Sequence, residues 1–279
     1  MKGKRIVVTG ATTGIGRITA LELAKLGAEL VIIARDGAKA EALLPELKAA
    51  GAPAAHAHLA DLSLMSSVRA VAAEINAKYD RIDVLVNNAG AIFGPRIETA
   101  EGHERTFALN HLSYFLLTHL LLDRLKAAGK ARIVNVSSDA HRPARVDFDN
   151  LELKTGYGGF KAYCLSKLMN LLFTYELARR LEGSGVTVNA AHPGPVASGF
   201  GSSSSGLMRF GIALVRPFFL TPAQGARTSI WLASSPAVEG VSGKYFAKRK
   251  EKQPSKRALD VETQKRLWAE TERIVGLAG

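Results

Sequence analysis

The tightest constraint on the fold stands at the N-terminus, where Lys4-Arg5-Ile6-Val7-Val8-Thr9 runs into Gly10-Ala11-Thr12-Thr13-Gly14-Ile15-Gly16 and then into the helical run Arg17 to Leu26. The first stretch is short, apolar and β-branched, which suits a buried strand. A strand, a glycine turn and a helix in that order present a helix N-terminus whose free N–H groups and dipole attract phosphate. The glycines let backbone approach such a ligand closely. The spacing is not G-x-G-x-x-G, since three residues separate Gly10 from Gly14 and one separates Gly14 from Gly16. Tightening of a βα unit is the plainer use of such glycines; the strand, loop and helix setting points to nucleotide binding.

The alternation continues along the chain. Glu29 to Ala34 reads as a second buried strand, ending at Arg35 and Asp36. An acid at that strand end would bond a ribose 2′-hydroxyl, whereas an arginine pairs with a 2′-phosphate, so Arg35, with Arg17, favours NADP(H) over NAD(H). Next come a helix from Ala38 to Ala50, a weaker strand from Ala54 to His58 and a helix reaching Lys78, capped by Ser63 or Asp61. His56 and His58 lack a third partner at ligand spacing, so no metal site is expected. Ile82 to Val86 is the fourth strand, and the amides of Asn87-Asn88-Ala89-Gly90 at its end either tie the sheet together or line a ligand crevice.

Glu101 to Ala128 is expected to form one long helix with Asn110 in its interior. Asparagine is a weak helix former, so there it is either solvated or bonded into a core or a site. Arg132 to Val136 makes the fifth strand and delivers Ser137-Ser138, a hydroxyl position suited to a substrate oxygen or to capping a turn. The sixth strand, Val186 to Ala190, ends in His192-Pro193-Gly194-Pro195-Val196. Residues 198–222 then read as a mobile substrate loop or lid, beginning with the serine run Ser202 to Ser205. Its apolar part, 207–220, suits a lid helix first, then a dimer face, then a membrane-surface helix. A helix from Gln224 to Leu232, a last strand from Gly243 to Ala247 and a helix from Glu262 to Val275 complete the pattern. The expected fold is a single α/β domain over residues 1–279, a Rossmann-type doubly wound parallel sheet with helices on both faces.

The 279 residues carry 37 Lys and Arg against 25 Asp and Glu, a formal charge of +12. The excess gathers partly between Lys244 and Arg257, where Lys248, Arg249, Lys250, Lys252, Lys256 and Arg257 are not interleaved with aromatics. A solvated face that mildly attracts an anionic cofactor fits this better than nucleic-acid binding. The lone Cys164 cannot close an intramolecular disulfide, which suits a reducing compartment and excludes a cysteine-rich metal site. Met1 to Arg5 leads straight into a strand without a signal-peptide apolar region. No run approaches the ~18 apolar residues of a membrane span, so the expectation is a cytoplasmic protein.

Acid–base equipment sits at Tyr163-Cys164-Leu165-Ser166-Lys167, a phenol and an ammonium four residues apart and hence on one helix face. A lysine charge beside a tyrosine favours the phenolate, lowering its pKa from about 10 and suiting it to interconvert an alcohol and a carbonyl. Such pairs also occur as ordinary helix neighbours, and Tyr157 and Lys161 repeat the spacing across Gly158-Gly159. Because two glycines weaken a helix by ~1 kcal/mol each, Tyr157 is placed in a loop, and Tyr163 opens the helix that runs to Arg180 and the Gly183 stop.

Taken together, Thr9 to Gly16, Asp61-Leu62, Asn87 to Gly90, Asn110, Asn135-Val136-Ser137-Ser138, Tyr163 with Lys167, and Pro193-Gly194 stand in the order of the short-chain dehydrogenase/reductase family, which the chain resembles over essentially its full length. Ser137-Ser138-Asp139-Ala140-His141, Ser166 to Asn170 and the ending around Gly243-Lys244-Tyr245 resemble its retinol-dehydrogenase-like branch. The resemblance implies roles residue by residue. Tyr163 would be the general acid/base, Lys167 would lower its pKa and hold the nicotinamide ribose, Ser138 would bind the substrate oxygen, and Asn110 would keep a water relay. Asp61 and Leu62 would meet adenine, Asn88, Ala89 and Gly90 would flank the cofactor with Gly10 to Gly16, and Pro193, Val196 and Ser198 would contact the nicotinamide side. Ser198 stands where that branch usually has Thr. The activity implied is NADP(H)-dependent oxidoreduction of an apolar alcohol, aldehyde or ketone, with a non-catalytic cofactor-binding regulator as the alternative and a homo-oligomer as the family's habit.

Overall fold

Strand residues alternate between two cores, and the helices bring matching apolar stripes to each. In β1 (Arg5–Thr9), Ile6 and Val8 join one core while Val7 joins the other. The computed structural model describes residues 1–195 and 220–277. Within them, one eight-stranded sheet has the order β3-β2-β1-β4-β5-β6-β7-β8. The strands are β2 (Glu29–Ala34), β3 (Ala55–Leu59), β4 (Val84–Asn87), β5 (Ala131–Val136), β6 (Val186–His192), β7 (Lys244–Ala247) and β8 (Lys250–Glu251). All neighbours pair in parallel except β7 and β8. The short antiparallel return of β8 is not expected from the sequence. Two consecutive left-handed residues, Lys248 (φ 50°) and Arg249 (φ 61°), make the turn without the usual glycine or asparagine signal.

One face is covered by α1 (Gly14–Lys25), α2 (Gly37–Ala50) and α8 (Pro222–Ser234), which pack Leu23, Leu43, Leu47 and Leu232 against Ile6, Val8, Leu30 and Ile32. The other is covered by α3 (Met65–Lys78), α5 (Ser113–Leu120), α7 (Gly159–Arg180) and α9 (Val261–Ile274). These bring Val68, Ile75, Phe115, Leu168, Leu172 and Trp268 to Val7, Val31 and Leu85. The doubly wound parallel fold is thus as the sequence predicts.

Three local expectations change. The segment 101–128 is not one helix. It starts at Arg105, winds through α4 (Arg105–Phe107), opens into a π-turn over Ala108–Leu112, returns to α5 and continues after Leu121 as α6 (Leu122–Lys126). The buried Glu104 sets its start by accepting from the backbone N–H groups of Thr106 (2.8 Å) and Phe107 (2.7 Å). Next, α3 is capped neither by Ser63 nor by Asp61. Its first N–H groups, on Met65 and Ser66, donate instead to the carboxylate of Glu101, more than thirty residues away in the chain. Finally, α7 begins at Gly159 rather than at Tyr163. Glycine is required there because a Cβ would collide with the Phe93 carbonyl oxygen and stand 3.1 Å from Gly94.

Candidate active site

The strand order reverses at β1, which lies between β2 and β4, and the carboxyl ends of β1 and β4 bound the crevice where such sheets take ligands. Gly10 (φ 65°) and Gly14 (φ 53°) make the turn between β1 and α1. A Cβ on Gly10 would lie 2.9 Å from Ala89 Cα, and one on Gly16 would strike the Gly10 carbonyl and the Asn88 amide. The glycines are therefore also needed for the close seating of this loop on the end of β4. Thr9 rivets the two together. Its Oγ1 accepts from the backbone N–H groups of Asn88 and Ala89, both at 2.9 Å, and Asn88 Nδ2 donates to the Thr9 carbonyl at 2.9 Å. Thr13 precedes α1 without a side-chain cap, so its hydroxyl does not satisfy the helix's first N–H groups. Thr12 and Ile15 are half-buried and Thr13 is exposed along the same rim.

Arg35 is exposed at the end of β2, free to reach a phosphate. Arg17, its expected companion in phosphate recognition, is ion-paired with Glu46 on α2, so the phosphate argument rests on Arg35. Asp61 accepts from the Ser63 backbone N–H (2.9 Å) and hydroxyl (2.7 Å), and Leu62 is buried behind it. Burial pushes the Asp61 carboxyl up, but those bonds and the nearby Arg35 and Arg105 outweigh it and hold the pKa below the usual range.

The expected acid–base pair, Tyr163 and Lys167, lies on α7, beyond the carboxyl end of β5. Tyr163 is 8% exposed and Lys167 3%. The Ser138 side chain lies near enough to the Tyr163 hydroxyl to favour its phenolate. Ser138 Oγ accepts from the Ala140 backbone N–H at 3.2 Å, which leaves its own proton free to donate elsewhere. Lys167 Nζ donates to the Val136 carbonyl at 3.0 Å and lies 5.5 Å from the centroid of the Tyr163 ring. The expected depression of the tyrosine by this lysine is not found. Burial pushes Tyr163 well above its ordinary value, the neighbouring Ser138 hydroxyl recovering only part, and burial pushes Lys167 down to about 7. Desolvation thus outweighs the attraction between ammonium and phenolate, holding Tyr163 as the neutral phenol and making the Lys167 ammonium far easier to deprotonate.

Asn110 stands in the π-turn, fully buried, with its side chain committed. It accepts from the Ala91 N–H (2.9 Å) and donates to the Ala91 carbonyl (3.0 Å) and to Ser166 Oγ (3.0 Å). Gly90 lies between it and the lysine, since a Cβ there would be 3.2 Å from Asn110 Oδ1 and 3.5 Å from Lys167 Nζ. Asn87 serves the other purpose open to the paired amides. Its Nδ2 donates to Asn135 Oδ1 and Thr118 Oγ1, both at 2.9 Å, and Asn135 passes on to Thr174 on α7 at 3.0 Å. That buried chain ties β4, β5 and α7 into one rigid support for Tyr163.

Pro193 and Gly194 (φ 86°) turn away from the end of β6 toward the same opening. Val196, Ser198 and most of the expected lid lie outside the described residues. The structure gathers Gly10–Gly16, Asn88, Ala89 and Gly90 on one side of the crevice and Asn110, Ser138, Tyr163 and Lys167 on the other. Tyr157 is not among them: its hydroxyl donates to the Phe93 carbonyl at 3.1 Å in the loop before α7. Sequence reasoning misses Thr9 as the rivet, Tyr114, whose ring lies 5.7 Å from Lys167 Nζ, and Phe160. Phe160 is 56% exposed on the first turn of α7 with its ring 6.5 Å from that of Tyr163. Its i, i+3 spacing from Tyr163 is the available signal.

Known proteins share this sequence pattern and fold. The family model for short chain dehydrogenases matches residues 4–206. The chain is 45% identical over 285 residues to retinol dehydrogenase 13 of Homo sapiens, covering 99% of this chain and 85% of that protein. Among solved structures, an uncharacterized protein from Mycobacterium Paratuberculosis superposes with a TM-score of 0.80 at 34% identity, covering 99% of this chain and 94% of that one. A variant of actinorhodin polyketide ketoreductase with NADPH does so with a TM-score of 0.70 at 26% identity, over 89% and 97% of the two chains. The glycine loop, the Ser138, Tyr163 and Lys167 cluster and these likenesses together place the chain in the short-chain dehydrogenase family, as an oxidoreductase that interconverts alcohols and carbonyls with NAD(P).

Proposed function

We propose that the chain is an NADP(H)-dependent oxidoreductase of apolar aldehydes, ketones or alcohols, with Tyr163 as its general acid/base. The observation that carries this is the grouping of Tyr163 with Ser138 and a buried Lys167 at the mouth of the glycine-loop crevice. The dinucleotide supplies or accepts the hydride. Its phosphates fit the glycine turn and the N-terminus of α1, its adenosine end fits Asp61 and Leu62, and Arg35 is the group available to a 2′-phosphate. Ser138 holds the substrate oxygen through the hydroxyl proton that Ala140 leaves free, and Tyr163 moves a proton to or from that oxygen. Ribose hydroxyls against Lys167 Nζ, with cofactor phosphates in the crevice, favour the ammonium, which then lowers the barrier to a Tyr163 phenolate. Because the Asn110 amide is committed to Ala91 and Ser166, a water relay through this residue would use its main-chain carbonyl.

The exposed Phe160 beside Tyr163 supports an apolar substrate, and relatives named retinol dehydrogenases make retinal a natural first probe. The test is a fluorescence titration with NADPH and NADH, then turnover of nonanal and all-trans-retinal by the wild type, Tyr163→Phe and Arg35→Ala. The reading expects tighter NADPH binding, a selective loss of that preference in Arg35→Ala, and loss of most turnover in Tyr163→Phe, on the order of a hundredfold or more. Turnover unaffected by Tyr163→Phe would refute the acid/base assignment. Tighter NADH binding would refute the Arg35 argument while leaving the enzyme intact.

A further inference from the structure

Next to Ser138 lies a polar cluster that the reaction as described leaves unused. The Asp139 carboxylate accepts from the Tyr245 hydroxyl at 3.1 Å and pairs with Lys252, with His192 Nε2 at 3.3 Å and with Arg142 at 3.5 Å. The same residue's backbone N–H donates to His192 Nδ1 at 3.3 Å, and so does the Gly194 N–H at 3.4 Å. A ring nitrogen that accepts from two N–H groups carries no proton, so the neutral His192 bears its proton on Nε2, facing Asp139. His141 fixes the other side of the turn. Its Nδ1 lies 2.7 Å from the Ser138 carbonyl and its Nε2 accepts from the Ser255 N–H at 2.9 Å.

We infer that Asp139 and His192 are positioning residues that latch the Ser138 turn after β5 to the Pro193–Gly194 turn after β6. The carboxylate selects the His192 tautomer whose Nδ1 receives both backbone N–H groups. The two loops it joins carry the hydroxyl that holds the substrate oxygen and the turn that faces the nicotinamide, so the latch sets their separation. The anchors come from the C-terminal segment, Tyr245, Lys252 and Ser255, which gives part of the basic 244–257 stretch a structural purpose. This inference rests on the proposed roles of Ser138 and Tyr163.

The experiment is a double-mutant cycle of Asp139→Asn and Ser138→Ala, with nonanal and the preferred dinucleotide, alongside thermal melts. Asparagine removes the carboxylate charge that draws the ring proton to Nε2, so the tautomer that leaves Nδ1 bare for the two N–H groups is no longer enforced. The expected result is a kcat loss of roughly ten- to a hundredfold in Asp139→Asn, with the dinucleotide KM changed less than about twofold. In the Ser138→Ala background the further loss should shrink to about twofold or less. Losses that multiply, or an unchanged kcat in Asp139→Asn, overturn the inference. If Asp139→Asn does not fold, His192→Ala is compared with His192→Asn, whose side-chain oxygen can replace Nδ1 as acceptor. Recovery by Asn alone supports the latch, and equal activity of the two refutes it. If the wild type reduces no aldehyde, the functional reading is what fails. The latch is then decided by a crystal structure of Asp139→Asn, supported if Ser138 Oγ moves away from Tyr163 and refuted if it stays.

Discussion

Replacing Gly159 with alanine sets two effects of opposite sign against each other. Helix propensity favours the change by up to ~1 kcal/mol, less at a first-turn position. Packing opposes it, because the new Cβ would lie more than half an ångström inside the 3.0 Å that real Cβ atoms respect, against the backbone oxygen of Phe93, and 3.1 Å from Gly94. Neither obstacle is the end of a flexible side chain, so loop 93–94 or the first turn of α7 must shift, at a cost of about 1–3 kcal/mol. Packing wins, and Gly159→Ala is expected to lower Tm by a few degrees, since ~1 kcal/mol corresponds to about 2–4 °C in a chain of this size. The shift acts one helical turn from Tyr163, so kcat should fall several-fold more than Kd for the dinucleotide rises. Differential scanning calorimetry with steady-state kinetics reads both. A raised Tm with unchanged kcat would show that α7 is not pinned by this contact and would refute the reasoning.

Glu101→Gln removes the charged acceptor of the Met65 and Ser66 N–H groups and should destabilise by ~1 kcal/mol, read as a lower midpoint in urea. Burial raises the Glu101 pKa, but the Ser66 and Met65 bonds outweigh it and hold it below 4.5. Its contribution is therefore complete above about 4.5 and lost as pH falls through the folded value, so wild type and variant should converge in acid melts. With Lys167 pushed down to about 7 in the free protein and its ammonium favoured by bound dinucleotide, binding takes up a proton above that pH. The dinucleotide Kd should rise from pH 7 to 9, by at most about tenfold per unit; a flat profile, or one shared by Lys167→Met, refutes this. Phe160→Ala should raise KM for nonanal on the order of tenfold while changing that for acetaldehyde much less, and equal effects on both would exclude Phe160 from the substrate wall.

Much of the fold is legible because burial on both faces leaves continuous apolar runs in the strands, and apolar stripes mark the helices. Val7, Val31 and Leu85 could be assigned to strands from their neighbours alone. Elements controlled by distant residues were not legible in that way. Nothing near Met65 announces that Glu101 caps α3, and nothing near Gly159 announces the Phe93 carbonyl that lets α7 begin on a glycine. The β7–β8 turn was missed because Lys248 and Arg249 adopt the left-handed conformation that sequence rules assign to glycine or asparagine. At the site, type, spacing and family order point to Tyr163, Lys167, Ser138 and Asn110, which the structure brings together. Their electrostatics were not, because the spacing of Tyr163 and Lys167 carries the Coulomb attraction but says nothing of how deeply both are buried.

The π-turn that holds Asn110 has a meaning for anyone rebuilding this protein. A π-turn contains one residue more than an α-helix needs to cover the same rise, so Ala108–Leu112 carries an insertion relative to a regular helix. Deleting Leu109 would let the segment wind regularly from Arg105 to Leu120 with its two ends still in phase, improving its backbone bonding while changing the direction in which the residues inside the turn point. Asn110 could then no longer face Ala91 and Ser166 while Phe115 kept its place in the core. A graft of this site onto another α/β scaffold must therefore transplant a residue count along with the side chains, and a shortened loop elsewhere will not compensate for losing it.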